Sequence, residues 1–324
     1  MTTGFVATTG GHLAQLHSLA DRIPREADEF WVTHANEQST SLLADRDVYY
    51  VPYVGVRDVP NVLRRVRHAH TLLRRRRPTR MVSTGSGIAL GYLPYLAARG
   101  VECHYIESAA RVSGPSITGR ILRWVPRVRT YTQYRHWSGP HWHYGGSVFD
   151  AYEPVQAQRE LGDRIRVVVT VGTAAEFPFR RLMLALAKLL GPGGELEQTT
   201  GRPVDVLWQT GCTPVDDLPL TPTPFLPAAD LAAALAAADI VVSHAGTGSA
   251  LANVEAGRFA VMATRVAEFG EAGDDHQQQL ADELVARGLA LHRLPTEITV
   301  EDLLSTLSTS VRRVSDVPPF ELRR

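Results

Sequence analysis

The feature that most restricts this chain of 324 residues is an alternation of short apolar runs with amphipathic stretches, punctuated by glycine turns and run through twice. An apolar run over residues 4–8 stops at Thr9-Gly10-Gly11-His12, and Leu13, Leu16, Leu19 and Ala20 then fall on one helical face. Residues 29–33 and 48–51 read as further strands. Asp58 is placed to cap a long helix that carries Val59, Val62, Leu63, Val66, Leu72 and Leu73 on its apolar side, and Pro78 stops it. A strand over 81–83 runs into Thr84-Gly85-Ser86-Gly87 and a helix over 88–98, and a strand over 101–106 ends at Glu107-Ser108. A turn-rich stretch over 139–163 reads as a linker. The pattern then restarts. The apolar run 165–171 ends at Gly172-Thr173, a helix over 179–190 is broken by Gly191-Pro192-Gly193-Gly194, and residues 204–208 read as a strand. A helix over 228–238, a strand over 240–243, the loop Gly246-Thr247-Gly248 with a helix over 249–256, a strand over 259–263 and helices over 277–287 and 300–311 complete it.

Strands alternating with helices predict parallel sheets covered by helices. Two such halves predict an α/β chain of two Rossmann-like domains facing across a cleft, 1–150 and 151–324. In sheets of this kind ligands lie at the carboxyl ends of the strands. The sequence thus points to chemistry in that cleft.

Composition narrows the function. Hydrophobic residues are 44% and charged residues 21%, which excludes fibrous and disordered classes. No apolar run approaches the roughly 18 residues of a membrane span, and the first residues lack a basic-then-apolar leader. Cys103 and Cys212 are far apart, so neither a disulfide framework nor a cysteine metal cage is expected, and a reducing cytoplasm fits. The net charge is zero, but residues 1–160 carry +7 and residues 161–324 carry −7. A nucleic-acid binder would be basic throughout. A basic first half suits an anionic surface or phosphates.

Glycine at a strand-to-helix turn lets backbone N–H groups approach a ligand, and the helix N-terminus favours an anion. Two such turns per half point to phosphates on both sides. No G-x-G-x-x-G with a following acid and no G-x-x-x-x-G-K-[ST] occurs, so neither a dinucleotide nor a P-loop fingerprint is present and no cofactor is expected. His12, at the mouth of the first turn, is a candidate general base or phosphate donor. Glu107, at a strand end, is a second candidate. Asp274-Asp275-His276-Gln277-Gln278 either caps a helix or faces a sugar. His136, His141 and His143 lack further ligands at usable spacing, so no metal is expected. Eight arginines between Arg64 and Arg80 are either a solvated helix face or a surface for anionic headgroups.

These segments resemble a known family. The second half, through Val169-Thr170-Val171-Gly172-Thr173, Gln209-Thr210-Gly211, Ser243-His244-Ala245-Gly246-Thr247-Gly248-Ser249 and Gly270-Glu271-Ala272-Gly273-Asp274-Asp275-His276-Gln277, is similar to the catalytic subunit of the dolichol-pathway UDP-GlcNAc transferase. The first half resembles its membrane-recruiting partner, through Gly10-Gly11-His12, Ser83-Thr84-Gly85-Ser86-Gly87 and Tyr105-Ile106-Glu107-Ser108. Together they resemble the lipid II-forming and exopolysaccharide transferases, GT-B enzymes with a family 28-type C-terminal domain.

The resemblance implies an inverting, UDP-sugar-dependent transferase of the cytoplasm, peripheral on the inner membrane face, with a lipid-linked or other glycan acceptor and no nucleic-acid partner. It implies donor contacts at Gly172, Thr173, Gln209, Thr210, His244, Gly246, Thr247, Gly248, Ser249, Asp275, His276, Gln277 and Gln278. It implies acceptor contacts at Thr9, Gly10, Gly11, Gly85, Ser86 and Gly87, and His12 or Glu107 as base. One position departs: where the family carries a ribose-binding glutamate, this chain has Ala252, followed by Asn253, with Glu255 one turn on. The competing readings are a transferase for a soluble natural product, a UDP-GlcNAc 2-epimerase, and a non-catalytic donor-binding scaffold.

Overall fold

The computed structural model describes residues 2–24, 27–53, 59–172, 177–273 and 276–323, with residues 59–63 as backbone only. The chain divides into two compact units, Met1–Ala151 with Asp316–Arg324, and Tyr152–Ser315.

In the first unit the strands are β1 (Thr2–Ala7), β2 (Asp28–Thr33), β3 (Val48–Tyr50), β4 (Arg80–Gly85), β5 (Glu102–Ile106), β6 (Val128–Thr132) and β7 (Trp142–Tyr144). The helices are α1 (Gly11–Ala20), α2 (Glu37–Leu42), α3 (Val59–Arg76), α4 (Gly87–Ala97) and α5 (Ile117–Leu122). The strands form one parallel sheet in the order β3-β2-β1-β4-β5-β6-β7. The second unit contains β8 (Tyr152–Gln156), β9 (Ile165–Thr170), β10 (Val204–Gln209), β11 (Pro222–Thr223), β12 (Ile240–His244), β13 (Ala260–Ala263), β14 (Ala290–Arg293) and β15 (Thr309–Arg313). Its helices are α6 (Arg180–Leu190), α7 (Glu195–Thr200), α8 (Ala228–Ala237), α9 (Thr247–Glu255), α10 (His276–Ala286) and α11 (Val300–Ser305). Its parallel sheet runs β11-β10-β9-β12-β13-β14.

The strand chemistry follows burial. The Val-rich strand β9 has a neighbour on each side, and Ile165, Val167, Val168 and Val169 are all buried. A strand covered on both faces reads as a continuous apolar run, because helices exclude water from each face. In both sheets the order reverses beside the first strand. The switch points therefore lie between β1 and β4 and between β9 and β12.

The structure departs from the sequence reading in several places. The helix expected over 300–311 ends at Ser305, and Thr309–Arg313 becomes β15, antiparallel to β8. Val311 lies opposite Pro154, a residue tolerated because this ribbon has only two strands and both are edges. The 139–163 stretch is not purely a linker, since it contains β7 and β8. The last residues, assigned by sequence to the second domain, pack with the first unit. Phe320 is fully buried, its N–H donates to the Arg22 carbonyl (2.8 Å), and the Glu321 N–H donates to that of Gly145 (2.8 Å). A Cβ on Gly145 would meet the Phe320 ring at 2.6 Å, so only glycine fits there. Trp142 is buried with the Trp137 ring tilted against it at 5.2 Å, whereas Trp124 is exposed. The expected Asp58 cap lies outside the described residues.

Candidate active site

The four glycine turns meet two by two at the switch points. In the first unit the Thr8 N–H donates to the Gly85 carbonyl (2.9 Å), and the Ser86 N–H donates to Thr8 Oγ1 (3.2 Å). His12 Nδ1 lies 2.7 Å from the Thr84 carbonyl, and Thr84 Oγ1 donates back to the His12 carbonyl (2.7 Å). A carbonyl oxygen only accepts, so Nδ1 carries the proton and the lone pair is left on Nε2. Burial, with the charge of Arg111 behind it, holds the imidazole below the usual histidine range, against the opposing pull of the Thr84 bond. Neutral, with its tautomer fixed, His12 has the electronic form of a general base.

Gly10 adopts φ +86°, which an L-residue rarely takes. Its backbone is held at both ends by one side chain: the Gly10 N–H donates to Gln38 Oε1 (2.5 Å), and Gln38 Nε2 donates to the Gly10 carbonyl (3.1 Å). Gln38 has no motif to reveal it, because α2 meets the turn only through the fold. Gly85, at φ +103°, closes on the site: a Cβ there would lie 3.3 Å from the His12 ring and 3.4 Å from the Tyr105 hydroxyl.

Glu107 has a different place. It is buried, and both oxygens are occupied. Oε1 accepts from the Tyr105 hydroxyl (3.1 Å) and the Ser108 N–H (3.2 Å), and Oε2 from the Ser116 N–H (2.9 Å) and hydroxyl (3.0 Å). Burial pushes its carboxyl above the usual range, and the four donors pull it back. A base needs a free lone pair facing its substrate. The geometry instead makes Glu107 the clamp that ties the loop after β5 to the start of α5.

In the second unit the His244 imidazole lies between two glycines. A Cβ on Gly172 would fall 2.7 Å from its ring, and one on Gly246 would fall 2.3 Å from Nε2. Ser249 Oγ is 3.2 Å from His244 Nδ1. Burial, reinforced by the Arg265 charge, pushes the imidazole down to about 3, so it is neutral at physiological pH. Thr247 is buried, and Gly248 and Ser249 are partly open on the first turn of α9. Gly87 holds the equivalent first position of α4.

One property unites these turns. The helices that follow the four switch-point strands, α1, α4, α6 and α9, start with no side-chain cap and no acidic residue in the first turn. By contrast α2, α5 and α11 are capped by Asn36, Ser116 and Thr299. The first N–H groups of a helix have no internal partner, and together with the dipole they suit an anion.

The remaining expected residues scatter in role. Gln209 and Thr210 are buried at the end of β10, and Gln209 Oε1 has no partner among the described residues. His276 opens α10. Gln277 Oε1 accepts the Arg265 N–H (3.1 Å), and Gln278 bonds Thr264 and Asp282, so both carboxamides also brace the exit of β13. Thr9 and Gly11 flank Gly10 in the first turn. Thr173 and Asp275 lie outside the described residues. Ala252 packs on an apolar cluster. Asn253 is buried and donates to Ser243 Oγ (2.9 Å). Glu255 accepts from the Tyr152 hydroxyl (3.4 Å). It lies eight residues past the helix start, about 12 Å along the axis and one turn beyond Ala252. Arg265 went unnoticed in the sequence; its signal was an arginine just past a buried strand. His136 Nε2 lies 2.7 Å from the Val112 carbonyl, and His143 Nε2 faces Arg323 at 3.4 Å.

Residues 166–315 match the glycosyltransferase family 28 C-terminal domain. A curated relative from Cupriavidus necator, UDP-N-acetylglucosamine--N-acetylmuramyl-(pentapeptide) pyrophosphoryl-undecaprenol N-acetylglucosamine transferase, is 27% identical over 94% of this chain and 87% of its own length. Among solved structures, MurG of Acinetobacter baumannii has a TM-score of 0.58 at 19% identity, covering 95% of this chain and 91% of its own. The glycosyltransferase SnogD of Streptomyces nogalater has a TM-score of 0.59 at 16% identity, with the same coverage. Residues 166–315 are thus matched as a glycosyltransferase family 28 C-terminal domain, and the chain, with its two Rossmann-type units, shares the fold of the GT-B glycosyltransferases it is similar to.

Proposed function

We propose that this chain transfers a sugar, with inversion, from a UDP-sugar (UDP-GlcNAc or a related donor) to a polyprenyl-diphosphate-linked acceptor, the second unit taking the donor and the first the acceptor. The observation that carries the reading is a pair of helices without a side-chain cap or first-turn acid at each switch point, with α1, α4 and α9 starting at glycine-bearing turns. A transferase joining two diphosphate-bearing substrates needs an anion site in each. The family 28 match over 166–315 and the Cupriavidus necator relative support the donor and acceptor classes.

In this mechanism His12 Nε2 takes the proton of the acceptor hydroxyl, whose oxygen bonds to the anomeric carbon of the donor sugar. The bond from that carbon to the β-phosphate oxygen breaks, and its electron pair leaves with UDP. The N–H groups at the start of α9 and the helix dipole offset the charge that develops there. The test uses the whole protein. Calorimetry should detect UDP, and labelled UDP-GlcNAc should pass its sugar to a polyprenyl-diphosphate glycan. Failure to bind UDP would remove the donor assignment.

A peripheral membrane contact is part of this proposal, and the fold changes which residues support it. No helix among the described residues is long and apolar enough to cross a membrane. The arginine-rich α3 is a weaker candidate than its composition suggests: Arg65 is buried, and Arg76 pairs with Asp28 and Asp47 while lying over the Phe30 ring at 5.1 Å. On α5 and the turn after it, Ile117 is 63% exposed, Ile121 48% and Trp124 66%. Their spacing puts them on one face, with exposed Arg120 and Arg127 nearby and Arg123 over the Trp124 ring at 4.8 Å. An apolar stripe with tryptophan and basic neighbours suits the interface of an anionic bilayer, where each arginine adds about 1 kcal/mol. Vesicles with anionic lipid should bind the protein, less so as salt rises. A triple Ile117→Ser, Ile121→Ser, Trp124→Ser variant should lose this binding yet bind UDP normally. No binding of wild type at any salt would favour a soluble acceptor.

A further inference from the structure

Arg265 follows β13 at the carboxyl edge of the second sheet and is 5% exposed. A cation this deep is costly unless an anion compensates it. Its surroundings supply little. It donates to the Val171 carbonyl, beside Gly172, and its guanidinium lies 5.2 Å over the Phe179 ring. Its Nε has no hydrogen-bond partner. Glu271 is the one carboxylate among the described residues whose charge reaches it. That carboxylate is already held by Arg181, through Nε (3.2 Å) and Nη2 (2.8 Å), and by the Val266 N–H (3.2 Å). Among the described residues, Arg265 is thus a buried cation without an ion-pair partner.

Its location says what the missing anion is. Val171 and Gly172 lead out of β9, and His244 packs against Gly172. The Arg265 guanidinium and the His244 ring therefore flank one backbone turn, next to the uncapped start of α9. Two polar atoms of nine-tenths-buried residues have no partner among the described residues on this edge, Arg265 Nε just past β13 and Gln209 Oε1 at the end of β10, with β9 and β12 between their strands. A cation and a carboxamide acceptor that the protein leaves unsatisfied match a ligand carrying both phosphate oxygens and hydroxyl or N–H donors, as a nucleoside diphosphate does.

We propose that Arg265 is a diphosphate-binding residue of the donor site, placing a fixed guanidinium on the leaving group opposite the start of α9. The proposal rests on the donor reading above and adds a named side chain to it. As the bond from the anomeric carbon to phosphate oxygen breaks and its electron pair passes to that oxygen, the guanidinium meets the new charge with a donor already in place. A guanidinium presents several N–H groups in a plane to phosphate oxygens, whereas an ammonium is a point charge.

The test is calorimetry of wild type, Arg265→Gln and Arg265→Lys with UDP and uridine. Wild type should bind UDP well above uridine. Arg265→Gln should lose at least tenfold in UDP affinity while uridine affinity changes less than twofold, and Arg265→Lys should fall between. If wild type fails to bind UDP, the donor reading is what fails. If it binds and a folded Arg265→Gln keeps the wild-type ratio of UDP to uridine affinity, the role of Arg265 is refuted. A second measurement needs no glutamine variant. The Nε–H resonance of Arg265 in wild-type protein, assigned by its loss in Arg265→Lys, should shift with UDP and stay in place with uridine. A resonance unmoved by UDP would equally overturn the proposal.

Discussion

His12→Ala should cut kcat about 10²–10⁴-fold while leaving UDP affinity within twofold, because a positioned base acts on the acceptor hydroxyl and not on donor binding. The structure gives this prediction a pH signature. His12 is held below the usual histidine range by burial, so the wild-type rate should rise as pH climbs through that lowered value and level off above it. In His12→Ala this acid limb should vanish. Part of the effect has a structural source, since the Thr84 carbonyl loses its donor, at about 1 kcal/mol of stability. That cost is far too small to explain a thousandfold loss of rate at 25 °C in a folded protein. Steady-state kinetics across pH, beside a denaturant melt, separate the two. Near-normal turnover would reduce His12 to a residue of the first turn of α1, and Glu107, whose oxygens already accept four donors, would not replace it without giving up one of them.

Gly172→Ala should both destabilise the protein and weaken UDP binding tenfold or more. The residue sits at φ +74°, where a side chain is strained, and its Cβ would come within 2.7 Å of the His244 ring. Strain of this kind costs on the order of 1–3 kcal/mol. The ring cannot retreat, because Gly246 closes its other side. Gly193→Ala supplies the control. It has φ +67° but nothing within 4 Å of the added Cβ, so it should cost a similar backbone strain and leave UDP affinity unchanged. If calorimetry finds wild-type UDP affinity in Gly172→Ala, the packing of His244 against that turn is irrelevant to the donor.

Much of the candidate site was legible because it lies where local signals are strong. A glycine-punctuated turn after an apolar run marks a strand end, and in a parallel sheet strand ends carry the ligand. His12, Gly85, His244 and Gly246 were visible on that ground. Gln38 and Arg265 were not. The first acts through a hydrogen bond to a turn 28 residues away, and the second by lacking the partner that its burial demands. Glu107 also lies at a strand end, but its surroundings are not local: the fold places Tyr105, Ser108 and Ser116 around its carboxylate.

By itself, the sequence determined the α/β class, the two repeats of the Rossmann pattern and the four glycine turns, because periodicity, apolar runs and glycine act over a few residues. Only the tertiary structure decided that residues 309–313 form a strand, since their partner in β8 lies more than 150 residues earlier and local periodicity does not register it. It also returned the chain end to the first unit through the burial of Phe320, and it made Trp124, rather than Trp137 or Trp142, the exposed tryptophan. Burial and hydrogen-bond partnership are properties of the folded neighbourhood. They separate His12, whose Nε2 keeps its lone pair, from Glu107, whose oxygens accept four donors, and the exposed Arg120 and Arg127 from the buried Arg265.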